Sequence, residues 1–149
     1  MSNHLRPLYL LITVLALTSA RAVDPDISDF MAEVTEAVQK QDISIIQRLS
    51  YDVDVPQEIR EESLASWKEL LSGEYPEKGY KFIRVSYVNP PAKQPSRQWK
   101  GQVYEYNLEV IAYVSLNFQS AGQGAGRMVP IGRDPEGNVR FTNCRIKKD

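Results

Sequence analysis

Histidine and cysteine are almost missing from this chain: His4 and Cys144 are the single examples of each among 149 residues. One cysteine cannot close an intrachain disulfide, so the fold must rest on its core. A lone thiol is then either buried or paired with another chain, and burial in a strand is the expectation for Cys144. Asn-x-Ser/Thr triplets are absent, so N-glycosylation is not encoded. Long apolar runs are lacking too. The longest, Leu8 to Leu17 with Thr13 as its one interruption, falls well short of the roughly 20 residues that a spanning helix needs.

That short run has the layout of a secretory leader. His4 and Arg6 precede it, and small residues follow in Thr18, Ser19, Ala20 and Ala22. Ala20-Arg21-Ala22 fits the small-x-small rule for signal peptidase, so cleavage is expected after Ala22, with Ala20 as the alternative. No cysteine near that point offers a lipid anchor. Residues 1–22 are therefore read as a cleaved signal peptide and residues 23–149 as one domain, destined for the periplasm or the external medium and without a stable membrane anchor after cleavage. His4 leaves with the leader. Ser-His-Asp and Cys-His nucleophile systems, His-ligated haem and His-bearing zinc sites are then excluded in their usual forms.

From Ile27 the apolar positions run Ile27, Phe30, Met31, Val34 and Val38, the spacing of a helix with one buried stripe. Asp26 stands just before it as a cap. Gln41-Asp42 breaks the pattern, and Asp42 can cap a short second helix carrying Ile43, Ile46 and Leu49. Pro56 suits the first position of a third helix whose stripe is Ile59, Ser63, Trp67, Leu70 and Leu71, ended by Gly73.

Beyond Gly79 the period changes from about 3.6 to 2. Tyr80 to Val88 alternates and stops at Asn89-Pro90-Pro91, and a polar, proline-rich loop occupies residues 90–98. Then every second residue from Tyr104 to Phe118 is apolar or aromatic without a miss. A straight strand of that length would exceed about 45 Å at roughly 3.3 Å per residue, so it must bend or bulge. Ser120 to Gly126 holds three glycines and reads as a flexible connection. A last hairpin is expected between Met128–Ile131 and Val139–Ile146, turned by Asp134-Pro135-Glu136-Gly137-Asn138.

Helices first and long antiparallel strands after them predict an α+β fold: three N-terminal helices packed on one face of a curved, mostly antiparallel sheet of about four strands. The order and lengths of Phe30 to Leu49 with its Asp42 junction, Glu58 to Leu71, Tyr80 to Val88, Gln102 to Phe118 and the Asp134–Phe141 hairpin resemble the nuclear transport factor 2-like (cystatin-like) superfamily. A clear short hairpin between the second and third helices is lacking, unless Ser50 to Val55 supplies a stunted one. The resemblance implies a cone-shaped cavity between sheet and helices, used for catalysis, binding or dimerisation. Fold alone does not choose among these. Dehydratase-like and isomerase-like members place Asp, His or Tyr in that cavity. No histidine matches here, and Asp42 at the junction reads better as a helix cap than as a general base.

If the alternating face points to the helices, Tyr104 and Tyr106 enter such a cavity near Trp67, forming an aromatic pocket wall with hydroxyls. Core packing explains the same three residues. On the opposite face Glu105 and Glu109 lie about 13 Å apart along a strand, too far to share one proton or water. Pairing with Arg84, Arg140 or Arg145 is the expectation for them. Gly122-Gln-Gly124-Ala-Gly126 lacks the helix and the Lys-Ser/Thr of a phosphate loop. No motif implies a cofactor or a metal.

Charge is segregated. Residues 24–77 hold 14 acidic and 4 basic side chains, and residues 78–149 hold 5 and 12. An acidic helical layer on a basic sheet accounts for this, while a basic outer surface from Lys81, Arg84, Arg127, Arg140, Arg145 and Lys147 would suit an anionic partner or a second copy. The exposed sheet face, with Arg84, Glu105, Glu109, Tyr113, Arg140 and Arg145, is the expected interaction surface. The function expected is an exported, non-enzymatic module for an unknown small molecule or protein, with a homodimer through the sheet face and no nucleic acid. A pocket lyase or isomerase using Tyr, Asp or Glu, and an inhibitor or immunity-type protein acting through its acidic helices, are the alternatives.

Overall fold

The structure, a computed structural model, describes residues 22–73, 75–90 and 92–148. Of residues 1–22, read from sequence as a signal peptide, only Ala22 lies within the described residues.

Helix α1 spans Pro25–Lys40, α2 Ile43–Leu49 and α3 Gln57–Leu71. The cap of α1 is Asp24 rather than Asp26: Asp24 Oδ1 accepts from Asp26 N at 3.0 Å, Pro25 fills the first helical position, and Asp26 lies in the first turn. Helix α1 ends at Gln41, which is left-handed, and Asp42 caps α2 by accepting from the N and Oγ of Ser44. Those two hydrogen bonds from Ser44 hold the Asp42 carboxyl below its usual range. Ile27, Phe30, Val34, Ala37 and Val38 of α1 are buried as a stripe, as their spacing requires. Helix α3 differs. Burial is confined to its C-terminal half, at Trp67, Leu70 and Leu71, while its first two turns, rich in Glu, Gln and Arg, stay at the surface.

Strands follow: β1 (Lys81–Val88), β2 (Ser96–Trp99), β3 (Gln102–Tyr106), β4 (Ala112–Ser120), β5 (Gln123–Arg133), β6 (Val139–Phe141) and β7 (Cys144–Ile146). All strand pairings are antiparallel, in a four-stranded sheet ordered β1-β4-β5-β6 and a three-stranded sheet ordered β2-β3-β7. Ala112, Val114, Leu116 and Phe118 alternate inward on β4 and meet Ile131, Val139 and Phe141 and the α1 stripe in one core. Phe30 and Trp67 both contact the Phe141 ring, at centroid distances of 4.8 and 4.9 Å. Three helices thus lie over a strongly curled antiparallel sheet, and a second small sheet is made from parts of two expected strands, β3 and β7, together with β2, which starts at Ser96 within the segment 90–98 expected to be loop.

The long alternating run is divided between the two sheets. It leaves the ladder at Asn107–Ile111, and the neighbouring run leaves it at Thr142-Asn143. The breaks are locked together: Asn107 N donates to Asn143 O at 2.8 Å, and Asn143 N donates to Asn107 Oδ1 at 2.9 Å. Asn107 Nδ2 donates to the carbonyls of Tyr51 and Val53, at 2.6 and 3.1 Å, so this buried amide also pins the α2–α3 connection. That connection forms no hairpin; it makes one parallel bridge, Ser50 to Phe141. Gly132 sits where the corner crosses β5, and a Cβ there would meet Glu109 O at 2.6 Å and Leu108 Cβ at 2.7 Å.

The glycine-rich segment is no linker. Ala121 and Gly122, with φ of 44° and 83°, make a two-residue turn between the paired Ser120 and Gln123, and Gly124 and Gly126 belong to β5.

Candidate functional site

Because α3 buries only its C-terminal half, its N-terminal half leaves a cleft on each side. The larger has a volume of about 410 Å³ and lies between α2, α3 and the Thr142-Asn143 corner. Ile46, Leu64 and Trp67 form its apolar floor. Gln47 and Ser50 from the end of α2, Gln57, Arg60, Glu61 and Ser63 from α3, and Asp52 and Asn143 surround that floor with polar groups. Each wall has a local cause. Trp67 is fixed between Phe141 and the Arg127 guanidinium, 5.8 Å from its ring centroid. Ser50 Oγ donates to Ile46 O, and Asn143 is held by the corner.

The two carboxylates of this cleft already accept from neighbouring amides: Asp52 Oδ1 from Asn143 Nδ2 at 3.2 Å, and Glu61 Oε1 from Gln57 Nε2 at 2.8 Å. In contrast, no hydrogen bond or ion pair is made by the side chains of Gln47, Arg60 or Ser63 among the described residues.

The smaller cleft, about 330 Å³, opens on the opposite face of α3 and is lined by Ile59, Glu62, Arg97, Tyr104 and Cys144. Paired strand residues share a face, so Arg97 and Tyr104 lie together, and so do Tyr106 and Cys144 one position along. Tyr104 is buried, and its hydroxyl donates to Gln102 Oε1 at 3.0 Å. Burial raises the Tyr106 hydroxyl above its ordinary range, with Cys144 and Tyr113 adding to the effect and Arg97 opposing it. Burial likewise pushes the Cys144 thiol up against the pull of Arg97. Cys144 is half-buried in β7.

Of the residues singled out from sequence, Trp67 lines the larger cleft and Tyr104 the smaller, while Tyr106 lies beside the latter; the three are not brought to one cavity. The interaction-face residues are also dispersed. Arg84 and Tyr113 lie on the outer face of the main sheet, opposite Asn117 and Val88. Glu105 and Arg145 form an ion pair at 2.9 Å in the small sheet, and Glu109 is exposed at the corner. Arg140 Nε pairs with Asp134 at 2.9 Å and its Nη1 donates to Arg48 O at 2.8 Å, tying β6 to the end of α2. Arg127 points inward over Trp67, so the basic residues of the strands do not form one outer patch.

Sequence reasoning missed most of the larger cleft's lining. Gln47, Ser50 and Arg60 carry no signal when taken singly, and Ser63 is expected only as part of the α3 stripe; only the polar first half of α3, set against its apolar second half, marks the place. Among the described residues, no group of three His, Cys, Asp or Glu is arranged to hold a metal ion, and no helix is long and apolar enough to cross a membrane. Compared with protein-family models, with curated proteins and with solved structures, the chain matches none.

Proposed function

We propose that this chain is an exported, non-enzymatic binding module of the nuclear transport factor 2-like type that takes a small molecule in the cleft between α2 and α3. The observation that carries the reading is the larger cleft itself, with an apolar floor reaching Trp67 and a rim on which Gln47, Arg60 and Ser63 hold no partner among the described residues. Its volume falls in the range of ligand sites, about 300–1,000 Å³, and an apolar base with a few polar groups is their usual make-up. The carboxylates that could act as acid and base there are engaged with Asn143 and Gln57, which favours binding over proton transfer.

Thermal-shift screening of the mature protein against a broad small-molecule collection tests this. Ligands at about 100 times their Kd add roughly 2.7 kcal/mol, and the shift should vanish in Ser63→Trp, whose ring would fill the cleft. If no compound shifts the wild type, or if shifts persist in Ser63→Trp, the reading fails.

A second reading, a lyase or isomerase, draws on the smaller cleft, where Tyr104 and Glu62 are acid and base candidates beside Arg97. Turnover of any substrate that is lost in Tyr104→Phe would establish it.

A further inference from the structure

We infer that the ligand of the larger cleft is a neutral, hydroxyl-rich molecule, a short oligosaccharide being the class that fits; this rests on the proposed reading of that cleft as a small-molecule site. The argument is one of matching groups. A sugar hydroxyl both donates and accepts, so several on one ring need a wall that mixes donors with acceptors. The Gln47 amide offers both, the Ser63 hydroxyl offers both, and the Arg60 guanidinium offers up to five donors. None of these three side chains has a partner among the described residues. Asp52 and Glu61 keep lone pairs beyond the single amide each accepts from. The C–H groups of a sugar ring would lie against the apolar floor, where Leu64 is half-buried and Ile46 and Trp67 are almost fully covered.

Other ligand classes meet a cost in the same residues. An apolar ligand would desolvate Gln47, Arg60 and Ser63 without replacing their water, at a penalty for each. An anion would face Asp52 and Glu61 as well as the acidic helical half of the chain, where residues 24–77 hold 14 acidic and 4 basic side chains. A cation would face Arg60, with both carboxylates already partly engaged. A neutral polyol avoids all three.

Isothermal titration calorimetry of the mature protein with maltotriose, cellotriose and tri-N-acetylchitotriose decides the question. At least one should bind with a Kd of millimolar or tighter, should lose at least tenfold in affinity in Gln47→Ala, and should show no binding in Ser63→Trp. Met128→Ala, exposed on the far face of the main sheet, should bind as wild type does. Three silent titrations overturn the inference, and so does a sugar whose binding survives Ser63→Trp. The two claims fail separately: an apolar or charged compound that shifts the melting temperature through this cleft, while all three sugars are silent, leaves the binding reading standing and removes the oligosaccharide. If the thermal screen is blank as well, both fall.

Discussion

Gly132 is where β5 passes against the Leu108-Glu109 corner, and its missing side chain is what lets the two approach. A Cβ would stand 2.6 Å from Glu109 O and 2.7 Å from Leu108 Cβ, and neither a backbone carbonyl nor a Cβ bonded directly to the backbone can swing aside. Gly132→Ala should therefore cost roughly 2–3 kcal/mol, read as a lowered urea midpoint at unchanged slope. Gly124→Ala, in the same strand with nothing within 4 Å of its would-be Cβ, should change stability by less than about 1 kcal/mol. Thr142, ten residues on and beside Gly132 in space, has the opposite problem: its Oγ1 is buried without a hydrogen-bond partner among the described residues. Thr142→Val keeps the shape and removes the unpaired group, and should raise stability by up to about 1 kcal/mol, read as a higher midpoint in the same assay. Asp134 supplies a pH signature. Burial alone would raise its carboxyl, but the hydrogen bonds from Arg140 and Asn138 outweigh that and lower it from 3.8 to about 2. A carboxyl depressed on folding contributes stability above its unfolded value and loses it as pH falls through its folded value. The stability gap between wild type and Asp134→Asn should thus stay constant above about pH 4 and close progressively toward pH 2, as urea titrations at each pH would show.

At the scale of elements, the helices were legible and the turns of the sheet were not. Apolar spacing marked α1 and α3, and Asp42 marked the start of α2, because a stripe and a cap are local signals. The run from Tyr104 to Phe118 was legible as extended chain that had to bend, yet nothing local showed where. Leu108 and Val110 continue the alternation straight through the corner, and the break is set by hydrogen bonds between Asn107 and Asn143, 36 residues apart. The glycine-rich segment misled for a different reason: glycine content suggested looseness, whereas Gly126 lies in a paired strand, close to the Ser115 side chain. The turn itself carries a testable strain. Ala121 holds a φ of 44° at the first central position of a two-residue hairpin turn, a conformation that asparagine tolerates better. Ala121→Asn should stabilise the hairpin by about 0.5–1 kcal/mol, seen as a melting temperature higher by a few degrees.

For the whole molecule, charge and architecture tell one story. The helical half is acidic and the sheet half basic, but several of the strand arginines are turned inward or tied to carboxylates, so the segregation does not become one basic outer face. Among the places the fold leaves open is the flank of α3, polar in its first two turns and buried at Trp67, Leu70 and Leu71. Trp67 could be singled out from the sequence as an aromatic next to a strand-and-helix layer. Gln47, Arg60 and Ser63 could not, because their meaning comes from α2 and α3 standing together over the Asn143 corner. The central claim is that a small molecule occupies that cleft in the protein as made. Native mass spectrometry of the protein purified from its own source tests it most directly: the account predicts a species heavier than the bare chain by one small molecule, missing from Ser63→Trp prepared in the same way. A wild-type protein that carries no small molecule, or an adduct retained in full by Ser63→Trp, would contradict it.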